Sequence, residues 1–212
     1  KFAGITAAML PELVPVDARV GKLNKAYQTS LGLSADTKIL VGSSDGCMAV
    51  LGDGVTGEGT GIITVEDSGA VRVVSDKVMQ DDNQRFFNYL LTENKYVSGG
   101  PTNNGGVIFE WFTRQFGDFK NPFDIEHTML ELINDASKVP AGSDGLLFLP
   151  YLLGERVPIW NANARGVYFG MNIKHEKAHF VRATIEGILY ELYSIGKTLE
   201  EHRTINSLTI NG

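Results

Sequence analysis

The sequence predicts an α/β fold, and two patterns carry that prediction. Short runs of β-branched and aromatic residues, separated by turn residues, predict strands between residues 61 and 98. Later in the chain, apolar residues recur at spacings of three and four from Ala178 to Leu199, which predicts one long helix with a face toward the core. Apolar residues make up 43% of the 212 positions and charged residues 21%, a balance typical of a globular chain.

The first 60 residues are predicted to hold only short elements. Pro11 and Pro15 disfavour helix near the start, because proline lacks the backbone donor that a helix interior needs. Strand-forming residues then lead through a Ser-Ser-Asp-Gly turn into an apolar run, which is the order of a strand–turn–helix unit. The predicted elements are an extended connector over residues 1–20, a helix over 23–33, a buried strand over 38–42 and, after the turn at 43–46, a helix over 47–51.

A glycine-rich stretch over residues 52–61 is the predicted internal boundary, since glycine weakens any regular element. The residues after this boundary are predicted to form a new domain that opens with four antiparallel strands in a meander. In the first helix after these strands, the core-facing side is predicted to carry Ile108, Trp111, Phe112 and Phe116. The elements predicted after the meander are helices over 107–116, 125–137 and 178–199, a buried strand over 146–149 and a final strand over 207–211.

Charge and cysteine content exclude several classes of protein. Lysine and arginine total 19 against 25 aspartate and glutamate residues, a formal net charge of −6, which argues against a nucleic-acid partner. Cys47 is the single cysteine, so that an intramolecular disulfide is impossible and a reducing, cytoplasmic location is expected. No apolar run approaches the roughly 20 residues of a membrane span, and no signal segment opens the chain.

The two ends predict a longer polypeptide. The chain begins with Lys1 instead of Met, and it stops at Gly212 directly after the last predicted strand. We therefore expect this sequence to be a piece of a larger protein, whose function needs residues outside it.

Asp45 is the first candidate for chemistry. It follows a predicted strand, within Gly42–Gly46, and precedes a predicted helix. Its carboxylate would then lie at the carboxyl end of the strand, where a general base can face a crevice. The same local geometry also suits a helix N-cap, which is a purely structural role. The pattern alone leaves both interpretations open.

Two glycine-containing turns are candidate anion sites. Residues 61–69 predict a hairpin whose turn includes Ser68 and Gly69; its backbone amides could hold a phosphate, although an ordinary tight hairpin has the same pattern. Asn103–Gly106 precedes a helix, where glycine permits close approach and the helix dipole favours an anion. Asn and Gly are also common helix caps. No P-loop motif occurs in the sequence.

The remaining polar groups predict no metal site. His175 and His179 are four residues apart, but they lie beside lysines at a predicted helix start, which favours a solvated surface over a metal site. The acidic residues within the range 53–67 are typical of solvated turns. The loop over residues 153–160 combines a charged pair with a buried-looking Trp160, which fits either a cleft or an ordered surface loop.

Several segments resemble the FGGY family of carbohydrate kinases. Gly166–Met171, seven intervening residues and His179–Glu186 match the family's second signature position by position. Residues 146–156 are similar to the segment that usually precedes it, and residues 91–106 are similar to the form found in bacterial gluconate kinases. The resemblance runs from about Leu10 to the last residue.

This resemblance implies the actin-like ATPase (ribonuclease-H-like) fold, an α/β fold with a mixed sheet flanked by helices. In that family the sugar is held mainly by the first domain, and ATP lies across the cleft between the domains. The implied organisation is residues 1–60 as the tail of the first, sugar-binding domain and residues 61–212 as most of the second, nucleotide-binding domain, truncated at its end.

The resemblance also implies roles for individual residues. Asp45 is similar to the catalytic base that accepts the proton of the sugar hydroxyl. Glu66 and Asp67 depart from the family pattern, since glycine and threonine are usual there. A carboxylate facing a polyanion would repel it by about 4 kcal/mol at roughly 4 Å for an effective dielectric near 20, unless a magnesium ion lies between them. The implied nucleotide-binding residues are Asp67, Ser68 and Gly69 in the hairpin turn, Gly105 and Gly106 at a helix start, and Glu110 one turn later.

The implied activity is ATP-dependent phosphorylation of a sugar or sugar acid, gluconate in particular, with ATP and Mg²⁺ as cofactors. The expected partner is a small-molecule sugar or sugar acid, and a homodimer is a possible assembly; neither nucleic acid nor a membrane is expected. Two alternatives stay open, a xylulose-type sugar kinase and a non-catalytic protein on the kinase fold, the latter because of Glu66 and Asp67. This stretch by itself is expected to be inactive.

Overall fold

A computed structural model describes residues 4–118 and 124–212 of the chain. It contains a five-stranded mixed sheet with helices on both faces, so that the predicted α/β class is confirmed. The strands are β1 (Arg19–Lys22), β2 (Lys38–Leu40), β3 (Thr60–Val65), β4 (Gly69–Ser75), β5 (Phe87–Thr92), β6 (Lys95–Thr102), β7 (Leu147–Leu149), β8 (Val167–Phe169) and β9 (Ser207–Asn211). The helices are α1 (Lys25–Leu31), α2 (Asp45–Gly52), α3 (Gly106–Phe116), α4 (Ile125–Ala136) and α5 (Lys177–Glu200), with short 3-10 turns at Ala7–Met9 and Ser143–Gly145.

The central sheet has the strand order β5-β6-β4-β3-β9. All neighbours are antiparallel except β9, which runs parallel to β3. The predicted meander is therefore wrong, because β6 lies between β4 and β5. The connection between β4 and β5 is long and is held by the Asp81–Arg85 ion pair at 2.7 Å. That length allows β5 to pass to the outside of β6.

The two faces of the sheet pack against different parts of the chain. Val71 and Val73 of β4 face the long helix α5 and belong to the larger apolar core. Val74 of β4, on the opposite face, is buried with Cys47 and Val50 of α2. Successive side chains of a strand point to opposite faces, so one strand serves both cores. Helix α2 thus packs on the sheet formed by the residues that come after it in the chain.

The helices predicted from apolar periodicity are confirmed, with one adjustment in α3. Ile108 and Phe112 are buried as expected. Trp111 and Phe116 are exposed instead, and Phe109 takes the place in the core. Residues 108, 109 and 112 form the narrower stripe that a helix of 3.6 residues per turn can press against α5.

Several shorter predictions differ from the structure. Strand β2 is predicted to be buried, but it pairs only with β1 in a two-stranded sheet and is mostly exposed. Strand β1 interrupts the end of the predicted connector. In β7 only Phe148 is buried, and Trp160 is 55% exposed. Across the described residues, no helix is both long enough and apolar enough to cross a membrane.

Candidate functional site

Asp45 is the first residue of α2, and its side chain is exposed at the helix start. The helix begins here because Ser44 caps it: the Ser44 hydroxyl accepts a hydrogen bond from the Cys47 amide at 3.3 Å. The N-cap interpretation of Asp45 is therefore wrong, since its neighbour has that role. Asp45 Oδ1 accepts a bond from the Gly46 amide at 2.6 Å, which leaves its other oxygen open for a ligand.

Arg72 on β4 lies next to this helix start, and no sequence pattern points to it. Its Nη1 donates to the Thr64 hydroxyl of β3 at 2.8 Å. The rest of the guanidinium lies against Gly46, where a β-carbon would be 2.7 Å from Nε. Glycine at position 46 therefore makes room for the arginine beside Asp45.

The charge of Arg72 is only partly balanced. Burial lowers the pKa of the guanidinium from its ordinary value, and the negative charges of Asp45 and Glu66 oppose that shift without cancelling it. Among the residues that the structure describes, no carboxylate forms an ion pair with it, and its side-chain hydrogen-bond partner is the neutral Thr64 hydroxyl. The candidate base and Glu66 of the hairpin turn therefore share a cation as their neighbour.

The predicted hairpin joins β3 and β4 through an exposed turn over Glu66, Asp67 and Ser68. The Glu66 amide donates to the Ser68 carbonyl at 2.9 Å, which closes the turn. Gly69 follows as the first residue of β4 and is buried, where a β-carbon would be 2.9 Å from a methyl group of Leu192. The three turn side chains are thus available to a ligand, whereas Gly69 is held by packing.

The start of α3 is attached directly to this turn. The Gly106 amide donates to the Glu66 carbonyl at 2.6 Å, and the Val107 amide donates to the Asp67 carbonyl at 3.2 Å. A β-carbon on Gly105 would meet the backbone of Ser68 and would be 2.7 Å from the Glu66 carbonyl. These two amides are therefore bonded to the hairpin and are not free for an anion.

Glu110 lies one turn into α3 and is partly exposed. Arg114 pairs with it at 2.7 Å between Nη2 and Oε1. The spacing of four residues places both side chains on one helix surface. Glu110 can therefore accept a bond from a ligand while Arg114 neutralises its charge.

A buried polar network supports the start of α3 from behind, and sequence reasoning missed it. Glu155 is 3% exposed, and its Oε2 accepts bonds from Asn104 Nδ2 at 2.6 Å and from the Thr102 hydroxyl at 2.8 Å. Asn104 also donates to the Gly154 carbonyl at 2.7 Å and accepts from the Leu153 amide at 3.1 Å. The loop over residues 153–160 is thus an inner support of the site. The sequence feature that could have indicated this network is the charged pair inside the otherwise apolar loop.

Glu191 of α5 is a second buried carboxyl group near this network. Tyr151 donates to its Oε2 at 3.0 Å, while its Oε1 is buried and has no partner among the described residues. Burial raises the pKa of Glu191 to about 7, and the charge of Glu155 adds to the shift. At neutral pH this group is therefore partly protonated.

The segments that carry the family signature build structure around the site. Residues 167–169 form β8, which pairs with β7, and residues 179–186 form the first half of α5. Glu186 accepts bonds from Arg182 and from the Gly142 amide, at 2.6 and 3.0 Å. The role of these segments in the structure is to fix α5 against the β7–β8 pair.

Metal ligation by protein side chains alone finds no support in the described residues. No group of three or more His, Cys, Asp or Glu side chains there could hold a metal ion. His179 instead caps α5, where it forms a reciprocal pair of bonds with Glu176. His175 and His179 lie at the start of α5 as expected, but both are only partly exposed and not fully solvated.

Comparison with known sequences identifies a family. A model of the C-terminal domain of the FGGY family of carbohydrate kinases matches residues 63–212. The chain is 38% identical over 209 residues to a gluconokinase of Bacillus licheniformis, covering 94% of this chain and 40% of the relative. It is 33% identical over 205 residues to a xylulose kinase of Staphylococcus epidermidis, covering 95% and 40%. The chain thus spans about 40% of the length of these relatives.

Solved structures give the same result for the fold. A gluconate kinase from Lactobacillus acidophilus superposes with a TM-score of 0.83 at 35% identity, covering all of this chain and 42% of the other. A ligand-bound xylulose kinase from the same organism superposes equally well, at 34% identity and the same coverage. Plasmodium falciparum glycerol kinase with ADP, at 20% identity and a TM-score of 0.77, shares the fold and covers 97% of this chain and 40% of its own. The expected actin-like ATPase fold is confirmed.

Proposed function

Because the chain belongs to the FGGY family of carbohydrate kinases, we propose that the full-length protein phosphorylates a sugar acid, gluconate, with ATP as the phosphoryl donor. The observation that carries this proposal is the exposed carboxylate of Asp45 at the start of α2, which shares Arg72 as a charged neighbour with Glu66 of the hairpin turn. Residues 1–60 belong in this proposal to the tail of the sugar-binding domain, and the family match from residue 63 supports that boundary.

The proposed role of Asp45 is that of a general base. Its carboxylate accepts the proton of the sugar hydroxyl as the hydroxyl oxygen bonds to the γ-phosphorus, and ADP leaves with the electron pair of the broken bond. A base in this reaction must be ionised and open to the substrate. Asp45 is open to the substrate, because its side chain is exposed. One of its oxygens accepts a bond from a neighbouring amide, and the other is open for a ligand.

ATP is proposed to lie along the hairpin turn and the start of α3. Ser68 and Asp67 offer exposed side chains there, and Gly69, Gly105 and Gly106 keep the backbone of both elements close together. In this arrangement the glycines contribute by having no side chain, which lets the two elements lie close together. They do not contribute a free amide at Gly106, because that amide is already bonded. Glu110, paired with Arg114, is the proposed contact further along the nucleotide.

Magnesium fits this site as an ion that arrives with the nucleotide. Mg²⁺ in such enzymes is held mainly by phosphate oxygens, water and one or two carboxylates, so that a dedicated cluster of protein ligands is not needed. Glu66 and Asp67 supply exposed carboxylates at the turn. When bound, the ion would reduce the electrostatic repulsion between these carboxylates and the phosphates.

The identity of the sugar is the most specific part of the proposal. The higher identity to gluconokinase, 38% against 33% for a xylulose kinase, favours gluconate, and a xylulose-type sugar is the second candidate. A non-catalytic kinase-fold protein is disfavoured because Ser44, not Asp45, caps α2. We further propose that the protein acts in the cytoplasm and that a homodimer is one assembly to test.

The first experiment is a calorimetric titration of the full-length protein with ATP in the presence of Mg²⁺ and gluconate, followed by an assay of ADP release. We expect nucleotide binding and ADP release that depends on gluconate. Release with xylulose but not gluconate would favour the second candidate. Absence of nucleotide binding would contradict a kinase.

The role of Asp45 is tested by Asp45→Asn. We expect kcat to fall by about 100-fold or more, because general bases contribute on that order, while KM for the sugar changes little. The matched control is Asp36→Asn, an exposed aspartate on the turn between α1 and β2. Equal loss in both variants, or wild-type turnover in Asp45→Asn, would rule out the base assignment.

Glu66 and Asp67 stand in the hairpin where the family usually has glycine and threonine. Their effect is tested by the double substitution Glu66→Gly and Asp67→Thr. Removing two carboxylates that face a polyanion should tighten nucleotide binding. The effect should be largest without Mg²⁺, because the ion screens the repulsion. Calorimetry with ATP measures both conditions. A dissociation constant unchanged in both would mean that the two carboxylates do not face the phosphates.

A further inference from the structure

Arg72 is a partly buried cation beside the proposed base, and the reaction described above gives it no role. We propose that the guanidinium of Arg72 binds an oxyanion of the reactants beside Asp45, through two parallel N–H donors. The inference rests on the proposed function. It adds to it the residue that recognises negative charge at the point where the two substrates meet.

The first support is position. Arg72 lies on the face of the sheet that buries Ile62 and Val74 under α2, a surface on which an apolar side chain would be expected. Replacing a buried charge by a well-packed apolar residue is often neutral or stabilising. The arginine is therefore a poor choice for packing alone.

The second support is the space made for it. Gly46, within the first turn of α2, leaves a gap that the guanidinium fills, with Nε and Nη2 at 2.7 and 2.8 Å from the place of a β-carbon. The group is thus held within the helix start that also carries Asp45. A substrate hydroxyl bound to Asp45 would place its neighbouring groups beside the arginine.

The third support is the hydrogen-bond and charge balance. A guanidinium has five N–H donors, and the side-chain bond found in the described residues uses one of them, to Thr64. The amino-terminal end of α2 adds partial positive charge, so that the cation has an unfavourable neighbour. Asp45 and Glu66 offset this in part. An added oxyanion would complete the balance.

Arginine matches planar carboxylates and phosphate groups in a bidentate manner, which a lysine cannot reproduce. Two parts of the reactants have this chemistry, the carboxylate of a sugar acid and the phosphoryl group in transfer. In the transfer step the hydroxyl oxygen bonds to phosphorus, its proton passes to Asp45, and the bond to the leaving ADP breaks with its electron pair. N–H donors would then stabilise the charge on the phosphoryl oxygens.

The test uses Arg72→Lys and Arg72→Met in the full-length protein, with Lys138→Gln as the control, because Lys138 is an exposed cation paired with Asp135 on the far end of α4. Steady-state kinetics are measured with gluconate and with the neutral sugar xylulose. If the oxyanion is the phosphoryl group, kcat falls about 100-fold with both sugars. If it is the carboxylate, kcat/KM falls for gluconate alone.

Both variants are needed because Arg72→Met could fail to fold. Thermal unfolding identifies that outcome, and Arg72→Lys then decides, since it keeps the charge and loses the paired donors. We expect Arg72→Lys to lose about tenfold, the effect of one lost strong hydrogen bond. A folded Arg72→Met, or an Arg72→Lys variant, with wild-type kinetics on both sugars would overturn the proposal.

Failure of the proposed function has a different signature. If the wild-type protein phosphorylates neither sugar, the kinase proposal fails, and Arg72 is then judged by binding. Calorimetric titrations with inorganic phosphate and with gluconate compare wild type with Arg72→Lys. Binding at least tenfold weaker in the variant supports the oxyanion site. Equal binding, or no binding of either probe to the wild type, overturns it.

Discussion

Glu191 makes the stability of this protein depend on pH near neutrality. Its pKa is raised to about 7 in the folded state above an ordinary value near 4.5, so the folded protein holds this proton more tightly than the unfolded chain does. The stabilising contribution is complete below about pH 4.5 and is lost as the pH rises through about 7. The loss amounts to about 3 kcal/mol at high pH.

We expect Glu191→Gln to flatten this dependence. The amide is neutral at every pH and can still accept the hydrogen bond of Tyr151. The midpoint of urea unfolding, measured from pH 5 to pH 8, should therefore fall less in the variant than in the wild type. Glu200→Gln, at the exposed end of the same helix, serves as control. An unchanged slope in Glu191→Gln would mean that another group titrates.

Single residues could be predicted where a sequence motif contains them, but not where their role depends on a tertiary contact. Asp45 stands in a recognisable turn, and the family resemblance gave it a role. Arg72 has no local signal, because an arginine in a strand is usually solvated; its burial depends on contact with Gly46, far away in sequence. The structure likewise separates Asn104, which is buried, from Asn103, which is partly exposed. Their sequence pattern treats them alike.

At the scale of elements, the start of α3 and the β3–β4 hairpin form one unit that the Asn104–Glu155 network supports. We expect Asn104→Ala to destabilise the protein by about 3 kcal/mol, because it removes one hydrogen bond from the buried Glu155 carboxylate and leaves the Gly154 carbonyl and the Leu153 amide without the Asn104 side chain. Nucleotide binding should weaken with it. Urea unfolding and ATP calorimetry measure the two effects.

Asn103→Ala is the matched control for this prediction. Asn103 precedes Asn104 directly and makes one side-chain bond, a 3.3 Å contact to the Leu153 carbonyl. We expect a change of less than about 0.5 kcal/mol. Similar losses in the two variants would indicate that general loop order, and not the buried network, holds α3 in place.

Elements were predictable where local periodicity is strong. Helices α3, α4 and α5 follow the apolar spacing closely. The order of the strands did not follow, because the pairing of β4 with β6 joins residues such as Gly69 and Thr102, and no short-range pattern encodes it. Strand β2 shows the same limit. Its apolar composition predicts burial, but burial depends on whether another element packs over the strand, and the local sequence does not encode that.

At the scale of the whole molecule, α2 connects the first 60 residues to the main sheet. Cys47 on this helix has 0% exposure, so a thiol reagent reaches it only when α2 leaves the sheet. We expect Val50→Ala to weaken this docking by about 2 kcal/mol, as for removal of buried methyl groups. Cys47 should then be labelled about 30-fold faster, because each 1.4 kcal/mol is a factor of ten.

Leu51→Ala is the control for this prediction, because Leu51 neighbours Val50 on α2 and is 45% exposed. Its labelling rate should stay within about twofold of the wild type. If Val50→Ala also left the rate unchanged, Cys47 would be reached by a route other than undocking of α2.

The whole-molecule prediction drew more on family resemblance than on local pattern. The local patterns predicted an α/β chain, and the resemblance to the FGGY family, which the match over residues 63–212 confirms, supplied the fold. The packing of α2 on the sheet could not be read from the glycine-rich boundary at 52–61. That boundary separates segments in sequence, yet a shared core containing Val50 and Ile62 joins them in space.

The parallel pairing of β9 with β3 has a consequence for synthesis on the ribosome. Thr60 pairs with Ser207, so that all the residues between them must be synthesised before β3 has its second neighbour. Until then its edge presents unpaired amides and carbonyls, which are a template for pairing with other chains. Closure of that edge, a contact between distant residues, should be late and slow. The nascent protein is therefore exposed to aggregation at this edge while the residues between β3 and β9 are translated, a period in which chaperones would act.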